Sequence, residues 1–309
     1  MRAQAVVFGG NRSATVEDLA LIAPQPSDVV VETLWSGIST GTERLMWSGE
    51  MPPFPGMGYP LVPGYEAVGR IVQSNAAPER IGELVFVPGA RCFEAAQGLF
   101  GASASRLVVA ADKAHPIHME APRDGVLLAL AATAHHAVAG GALPELIIGH
   151  GVLGRLTARL VQALGGQPVV WETNAARRGI ADYPVIAPEQ DTRRDYASIC
   201  DMSGDAGIID QVLPHAAPGA EICLAGFYPV RPSFSFPLAF RKEMRLRVAA
   251  EWRPADLEAV VALVGAGRLP LAGLITHVTP FAEAASAYTT AFTDPACLKM
   301  IIEWGSSDV

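Results

Sequence analysis

Three glycines with the spacing G-x-G-x-x-G, Gly149, Gly151 and Gly154, are the residues most able to bind a ligand. In this spacing the first glycine allows a tight turn, the second lets backbone approach a pyrophosphate, and the third lets a helix pack close to a strand. An apolar run at 146–148 precedes the glycines and a helical pattern at 152–164 follows them. Phosphates bind at such a helix N-terminus because free N–H groups and the helix dipole favour negative charge. The residues that we predict to contact a dinucleotide at this turn are Gly149, His150, Gly151, Val152, Leu153 and Gly154.

A second strand-like run at 169–171 ends at Glu172. A carboxylate at this position accepts from a ribose 2′-OH and repels a 2′-phosphate, which favours NAD over NADP. Arg177 and Arg178 follow closely and are able to hold a phosphate, so NADP stays open as the alternative. The ends of later predicted strands add three residues to the predicted cofactor site: Ser203, Gly226 and Phe227.

The composition is that of a compact globular chain, with 309 residues of which 50% are hydrophobic and 17% charged. The net charge of −8 argues against nucleic acid as the main partner, because phosphate binding needs a basic surface. No apolar run approaches the ~20 residues of a membrane span. The four cysteines lie far apart without C-x-x-C spacing, which predicts reduced thiols in the cytoplasm and no cysteine-built metal site.

The pattern of predicted elements changes along the chain and indicates two kinds of domain. Short strands broken by Gly and Pro predict a closed antiparallel unit, with strands at 3–8, 28–34, 67–72, 83–87 and 106–109. A helix is predicted at 124–140. Strands then alternate with helices, which is typical of parallel βαβ units, at 146–150, 169–172, 184–187, 197–202, 220–226 and 245–251. The C-terminal part is predicted to hold helices at 255–266 and 281–292 and strands near 274–278 and 299–304.

An antiparallel unit followed by βαβ units resembles the medium-chain dehydrogenase/reductase superfamily. Residues 60–69, PLVPGYEAVG, are similar to its P-x-x-x-G-H-E-x-x-G pattern, with Tyr65 where histidine is usual. The resemblance implies an α/β protein of two domains. One is a GroES-like antiparallel β catalytic domain at 1–121 and 253–309, and the other is a Rossmann domain with a doubly wound parallel sheet at 122–252.

Three blocks resemble a narrower group within that superfamily, the dehydrogenases that act on bacteriochlorophyllides in bacteriochlorophyll synthesis. The blocks are WSGISTGTERLMWSGEMPPFPGMGYPLVPGYE, LALAATAHHAVAGG and SFSFPLAF with RLRVAAEW. This resemblance implies an oxidoreductase that oxidises the 3-(1-hydroxyethyl) group of a tetrapyrrole to 3-acetyl, with NAD as hydride acceptor. A zinc-free quinone or enoyl reductase of the same superfamily and a non-catalytic NAD-binding protein are the alternatives.

Many alcohol dehydrogenases of this superfamily hold a catalytic zinc ion with Cys and His side chains, which stabilises the alkoxide from which hydride leaves. In this chain Ser39 stands where the cysteine is expected and Tyr65 where the histidine is, so only Glu66 remains. We therefore expect no metal site and no zinc. The alternative is a zinc site rebuilt from Glu66, His135 and His136.

Without zinc, a side chain must take or relay the alcohol's proton. The hydroxyl-bearing candidates are Tyr65, Ser39, Thr40 and Thr42, with Glu66 placed to orient them. Hydroxyls in such a turn also often satisfy only backbone groups. His135 is a further candidate, either as an acid/base at the nicotinamide or as a contact of the substrate's magnesium. A buried, hydrogen-bonded pair with His136 is the favoured interpretation of that residue.

The segment at 47–59 is rich in Pro, Gly, Met and aromatic residues, so it is not predicted to form regular structure. Met and aromatic side chains adapt to flat ligands, which favours an apolar wall for a macrocycle, and a packed loop is the alternative. The residues assigned to this wall are Trp47, Met51, Phe54, Met57 and Tyr59. The family resemblance also implies a homodimer paired through the last strand of the nucleotide domain. An apolar product is consistent with transient membrane-surface contact.

Overall fold

A computed structural model describes residues 1–53, 55–179 and 181–305. Its strands, in chain order, are β1 (Arg2–Phe8), β2 (Ala14–Ala20), β3 (Asp28–Ile38), β4 (Ala67–Ser74), β5 (Leu84–Val87), β6 (Arg106–Ala110), β7 (His115–Pro116), β8 (Leu146–Ile148), β9 (Val169–Trp171), β10 (Val185–Ile186), β11 (Tyr196–Asp201), β12 (Ala216–Leu224), β13 (Arg245–Val248), β14 (His277–Pro280) and β15 (Met300–Glu303). Its α-helices are α1 (Thr42–Ser48), α2 (Leu128–Ala139), α3 (Val152–Ala163), α4 (Ile208–Val212), α5 (Phe236–Lys242), α6 (Pro254–Gly265) and α7 (Ala284–Thr293). Short 3-10 turns cover Pro78–Arg80, Ala111–Lys113, Pro122–Leu127, Ala175–Arg177, Pro188–Gln190, Leu213–His215 and Phe281–Glu283.

The chain divides into two compact units, the first made of Met1–Ala129 with Ala272–Val309 and the second of Leu130–Leu271. The boundaries predicted from the sequence, after residues 121 and 252, lie on the N-terminal side of both limits. The difference at the second limit has a local cause. Asp256 on α6 binds histidines of α2, and Arg159 on α3 donates to the Pro270 carbonyl at 2.7 Å, so 254–271 pack with the second unit.

The first unit is built on a seven-stranded sheet of order β14-β15-β3-β4-β5-β7, with β6 also paired to β3. Its pairings are antiparallel except for β14 with β15, which are parallel. Long β3 organises the sheet, because β4 lies along one edge while β6 and β15 share the other. β1 and β2 form a separate antiparallel pair. The largely antiparallel unit expected from the strand pattern is therefore present.

The second unit is a six-stranded parallel sheet of order β10-β9-β8-β11-β12-β13. Numbered within the unit, this is the order 3-2-1-4-5-6 of doubly wound dinucleotide-binding sheets. β8 is apolar at every position and fully buried, as expected for a central parallel strand that is covered on both faces. In α3 the buried residues recur at helical spacing, so one stripe faces the sheet and the polar stripe faces outward.

Four strands and helices were not predicted from the sequence: β2, the two-residue β7, α1 and α5. Strand β2 buries only Leu19, since its other side chains are exposed or half-buried. Helix α1 is short and lies between Gly41 and Gly49, so its sequence pattern indicates a loop. Helix α5 carries Pro237 in its first turn and buries mainly Ala239, which leaves almost no amphipathic signal. Among the residues described, no helix is long and apolar enough to cross a membrane.

Candidate active site

The glycine-rich turn connects β8 to α3 at the carboxyl end of the parallel sheet. Gly149 has φ of +93°, a left-handed conformation that side chains rarely adopt. A Cβ on Gly154 would overlap the carbonyl oxygen of Gly149, so only glycine lets α3 begin this close to the strand. These two glycines are explained entirely by contacts within the chain.

Gly151 differs, because a Cβ built on it would meet nothing within 4 Å. Its φ of −72° is also accessible to any residue. It precedes α3 without a side-chain cap, so the first N–H groups of the helix, including those of Val152 and Leu153, have no partner from the helix itself. Open space above bare N–H groups at a helix N-terminus fits the pyrophosphate of a dinucleotide.

Glu172 lies directly after β9 and is 8% exposed. Its Oε2 accepts from the His150 N–H at 3.0 Å, and its Oε1 accepts from the Asn174 N–H at 2.7 Å. A carboxylate oxygen accepts more than one hydrogen bond, so each keeps a site for a ribose hydroxyl. The residue therefore ties the glycine-rich turn to the end of β9 while remaining able to bind ribose.

The His150 side chain is fully buried behind this turn rather than presented to a ligand. Its Nδ1 lies 2.6 Å from the Arg177 carbonyl oxygen and its Nε2 lies 3.0 Å from the Tyr183 hydroxyl. Burial lowers the pKa of His150, so the neutral ring donates from Nδ1 and accepts at Nε2. Arg155 reinforces the arrangement, since it donates to the same Arg177 carbonyl at 3.2 Å. The imidazole thus connects the glycine-rich turn to the segment that follows β9.

The loops after β11 and β12 meet beside Gly149. The buried carboxylate of Asp201 accepts from the Ser203 N–H and hydroxyl, at 3.1 and 2.6 Å, and from the Tyr228 hydroxyl. A Cβ on Gly226 would overlap the Gly204 N, so the close approach of the two loops requires glycine there. Predicted residues Ser203, Gly226 and Phe227 therefore line the same strand ends as the glycine-rich turn, and Phe227 is partly exposed.

The hydroxyl-bearing residues that we predict to accept or relay the alcohol's proton belong to the first unit. They lie close to the end of β3. The half-buried Tyr65 donates a hydrogen bond to the buried Ser39 hydroxyl. Burial, then the nearby carboxylates of Glu66 and Glu43, raise the pKa of Tyr65, while hydrogen bonds with Ser39 and Thr42 oppose the shift. Tyr65 is therefore a neutral phenol rather than a phenolate. Thr40 is exposed.

Glu66 is fully buried and forms an ion pair that the sequence did not predict. Its Oε2 lies 2.6 Å from the Lys299 ammonium, which also donates to the Ile38 carbonyl at 3.0 Å. A Cβ on Gly37 would overlap this carboxylate, so glycine at that position of β3 makes room for it. Burial raises the pKa of Glu66 and Lys299 opposes the shift.

Three residues of this cluster were not found from the sequence: Glu43, Tyr288 and Lys299. For Lys299 a signal existed, because a lysine between Leu298 and the apolar run of β15 needs a partner if it is buried. Glu43 and Tyr288 lie in helices that carry no such signal, and only the folded chain brings them to Tyr65 and Glu66.

The donor set of the first unit does not fit a zinc ion. Zinc in proteins is held by thiolate, imidazole and carboxylate groups, whereas Ser39 and Tyr65 offer neutral hydroxyls bound to each other. Of the two buried carboxyl groups in this cluster, Glu66 already binds an ammonium, whose charge repels a cation, so only Glu43 is left. Among the described residues, no three His, Cys, Asp or Glu side chains are grouped as metal ligands. All four cysteines are buried free thiols.

His135 and His136 share one partner in the second unit, Asp256 at the start of α6. Their Nδ1 atoms lie 2.7 and 2.9 Å from its two carboxylate oxygens. Asp256 also accepts from the Arg253 N–H at 2.8 Å and so caps its helix. Burial raises the pKa of Asp256, but hydrogen bonds from His135, the Arg253 backbone and His136 together outweigh it and leave the pKa below its ordinary value. This geometry supports the interpretation of a hydrogen-bonded histidine pair.

The residues assigned to the substrate wall are partly used in packing. Trp47, Met51 and Met57 are half-buried against the apolar core of the first unit, and the Trp47 ring lies 5.4 Å from that of Phe292. Tyr59 is 39% exposed, and its hydroxyl donates to the Met46 carbonyl. Phe54 lies outside the described residues.

Comparison with curated proteins finds close relatives over the whole chain, although no family model matches it. It is 56% identical to the 2-desacetyl-2-hydroxyethyl bacteriochlorophyllide A dehydrogenase of Rhodobacter capsulatus, covering 98% of this chain and 99% of the relative. It is 55% identical to the protein of the same name from Cereibacter sphaeroides, with the same coverage of both chains.

Solved structures share the fold at low sequence identity. An alcohol dehydrogenase from Escherichia coli CFT073 in complex with NADH superimposes with a TM-score of 0.83 at 19% identity, covering 98% of this chain and 99% of that one. L-idonate 5-dehydrogenase from Escherichia coli gives a TM-score of 0.85 at 16% identity, with the same coverage. At this identity the likeness establishes the fold alone.

Proposed function

Because the chain belongs to the 2-desacetyl-2-hydroxyethyl bacteriochlorophyllide A dehydrogenase family, within the medium-chain dehydrogenase/reductase superfamily, we propose that it oxidises a bacteriochlorophyllide. The reaction converts the 3-(1-hydroxyethyl) group to 3-acetyl with NAD as hydride acceptor, in bacteriochlorophyll a synthesis. The observation that carries the proposal is 56% identity over essentially the full length of both chains. The glycine-rich turn and the hydroxyl cluster of the two units support it independently.

The residues of the second unit bind and orient the dinucleotide. The N-terminus of α3 at Val152 and Leu153 faces the pyrophosphate, and Gly151 leaves room for it. Glu172 accepts from the adenosine ribose and repels a 2′-phosphate, which supports NAD rather than NADP. When bound, the nicotinamide ring supplies the site that accepts hydride from the alcohol carbon.

The residues of the first unit hold the alcohol and receive its proton without zinc. Tyr65 and Ser39 form the hydroxyl pair at which the alcohol oxygen binds, with Thr42 beside them and Glu66 behind. Hydride transfer from the alcohol carbon gives a neutral carbonyl group only if the hydroxyl proton also departs, so a hydroxyl relay serves as the exit for that proton. The half-buried side chains of Trp47, Met51 and Met57, together with Tyr59, form the apolar wall for the flat macrocycle.

The proposal includes a homodimer in the cytoplasm, paired along the edge of the parallel sheet. β13 is the last strand of that sheet, and Val248 on it is 71% exposed. Next to it in sequence, Phe236 and Phe240 on α5 are 68% and 70% exposed, with ring centroids 5.9 Å apart. Exposed apolar side chains packed against each other, as the two phenylalanine rings are, are typical of a protein interface. The four free thiols support a reducing compartment, and the apolar product supports brief membrane-surface contact.

The direct test incubates the purified protein with 3-(1-hydroxyethyl)-bacteriochlorophyllide and NAD while the pigment and NADH absorbance are both followed. We expect the 3-acetyl pigment and NADH to form in equal amounts, and NADP to be used far less well. Pigment that stays unchanged with either dinucleotide would contradict the proposal. Oxidation of another alcohol but not of this pigment would reject the substrate and leave the dehydrogenase chemistry standing.

A further inference from the structure

Arg91 is a charged residue beside the proposed substrate site that the proposed reaction has not yet used. It lies in the segment after β5 and is exposed, and its guanidinium group forms no hydrogen bond or ion pair with any residue that the structure describes. The segment at 51–64 carries no charged side chain. In a chain with a net charge of −8, Arg91 is therefore an unneutralised positive charge next to an uncharged segment.

The Arg91 side chain lies against the apolar wall, the segment at 47–59 that we propose to hold the macrocycle. A Cβ built on Gly56 would lie 3.6 Å from the Nη2 atom of Arg91. Gly56 is exposed and has φ of +86°, a left-handed conformation that favours glycine. The guanidinium group is thus next to a position of the wall that presents only backbone, and Gly56 has no side chain to separate it from a bound ligand.

Gln97 places a second hydrogen-bond donor close to the guanidinium group. A Cβ built on Gly58 would lie 3.3 Å from the Cγ atom of Gln97, so this side chain also lies against the wall. A Cβ built on Gly98, which follows Gln97, would lie 3.2 Å from the Cα atom of Arg91, so the two side chains start from adjacent backbone. The side-chain amide of Gln97 forms no hydrogen bond with the described part of the chain, and its N–H groups are available to a ligand.

The same segment contacts the hydroxyl pair at which the alcohol is proposed to bind. The ring centroids of Phe100 and Tyr65 are 5.0 Å apart, with an angle of 76° between the ring planes. The Phe100 carbonyl accepts from the Ala90 N–H at 2.7 Å, and Ala90 directly precedes Arg91. The backbone that carries Arg91 is therefore fixed relative to Tyr65, while its guanidinium group lies beside Gly56 rather than at the reacting hydroxyl.

We propose that Arg91, assisted by Gln97, binds the propionate carboxylate of the pigment and makes the protein prefer the free acid to an ester. A bacteriochlorophyllide is the unesterified form of the pigment and carries this carboxylate on the edge of the ring, away from the hydroxyethyl group. A guanidinium group donates two parallel hydrogen bonds to a carboxylate, and its aliphatic stem packs along apolar surface. The arginine thus determines which edge of the macrocycle faces the hydroxyl pair.

The inference deepens the proposed function and rests on it, because it specifies how the same site recognises its substrate. The apolar wall alone accepts any flat macrocycle, whereas a group that binds the carboxylate distinguishes this pigment from its esters. Arg91 takes no part in proton or hydride transfer. Its loss should therefore raise KM rather than lower kcat.

The test measures oxidation of the free acid and of its propionate methyl ester by the wild-type protein and by R91M, which substitutes an apolar side chain. We expect the wild-type kcat/KM to be about tenfold or more higher for the acid, as for one charge-assisted hydrogen bond. In R91M the KM for the acid should rise until both pigments are used equally. Added salt should reduce the wild-type preference, because it screens an exposed ion pair.

R2M is the matched control, because it makes the same chemical change at an exposed arginine of the first unit. Arg2 begins β1 and pairs with Asp18, whereas the wall is contacted beyond the other end of that strand, where a Cβ on Gly10 would overlap the Tyr59 ring. R2M should keep the wild-type preference for the acid. An R91M protein that also keeps it, or a wild-type protein that uses acid and ester equally, overturns the inference.

R91E is a second variant, in which a negative charge repels the carboxylate, so this protein should prefer the methyl ester. Binding of the 3-acetyl product, followed by pigment absorbance, needs no turnover and should be about tenfold or more weaker in R91M than in the wild-type protein. Equal binding by both proteins overturns the inference. Tighter binding of the acid than of the ester by a wild-type protein that oxidises neither would instead contradict the proposed function and support the carboxylate site.

Discussion

At the scale of single residues, the first unit buries an ion pair, Lys299 and Glu66, next to the hydroxyl pair of Tyr65 and Ser39. Lys299 and Glu66 are both almost completely buried, and their charged groups are 2.6 Å apart. Removing one partner of such a pair leaves an uncompensated charge, which costs more than the pair itself contributes. Burial raises the pKa of Glu66, and the positive charge of Lys299 opposes that shift by favouring the ionised form.

We predict that K299M destabilises the protein by about 3 kcal/mol, because it leaves Glu66 buried without its counterion. The measurement is the free energy of unfolding from urea denaturation. The double variant K299M/E66Q removes both charges and should recover a substantial part of the loss. Equal stabilities for K299M and the wild-type protein would show that the pair does not stabilise this unit.

At the scale of elements, the glycines of the glycine-rich turn have different roles. The fold requires Gly149 and Gly154, whereas Gly151 leaves space for the ligand. We predict that G154A destabilises the second unit by ~1–3 kcal/mol, because the new methyl group overlaps the Gly149 carbonyl. G151A should leave the melting temperature unchanged but weaken NAD binding by about tenfold or more, because its methyl group occupies the space of the pyrophosphate. Calorimetry and NAD titration measure both effects. NAD binding at wild-type strength by G151A would contradict the assignment of this space to the pyrophosphate.

His150 also links two elements, because its imidazole holds the segment after β9 against the glycine-rich turn. We predict that H150F raises the KM for NAD several-fold while kcat changes little, because the ring can no longer bind the Arg177 carbonyl or the Tyr183 hydroxyl. Steady-state kinetics with saturating pigment make the comparison. Y183F, which removes only one of these contacts, should show a smaller effect in the same direction. Unchanged KM in both variants would mean that the segment is held by other contacts.

Periodicity and glycine spacing predicted the fold class, which is confirmed, because they report local backbone requirements. The parallel sheet and its glycine-rich turn follow from buried apolar strands and from positions where a Cβ cannot fit. The buried cluster of Glu43, Tyr288 and Lys299 depends on contacts between residues far apart in sequence, and no local pattern carries that information. Short α1 and α5 were missed for a related reason, since their stability comes from tertiary packing rather than from their own sequence.

At the scale of the whole molecule, the exposed aromatic face of the second unit is the feature that a single copy leaves unexplained. We predict that F236E/F240E converts a dimer to a monomer, because two charges replace the most exposed rings of that face. Light scattering after size-exclusion chromatography measures the mass. The control is I81E, which changes an exposed apolar residue of the first unit and should remain dimeric. A wild-type protein of 32.5 kDa in solution would contradict the proposed dimer.

The central claim is hydride transfer from the pigment's hydroxyethyl carbon to NAD at a site whose own side chains take the proton. The most direct measurement uses pigment carrying deuterium on that carbon, with protein whose metal content has been determined and with a chelator present. The account predicts one deuterium on the nicotinamide ring for each acetyl group formed, at a rate that the chelator does not change. Acetyl formation without deuterium transfer, or activity that is lost with the chelator and restored by zinc, would contradict it.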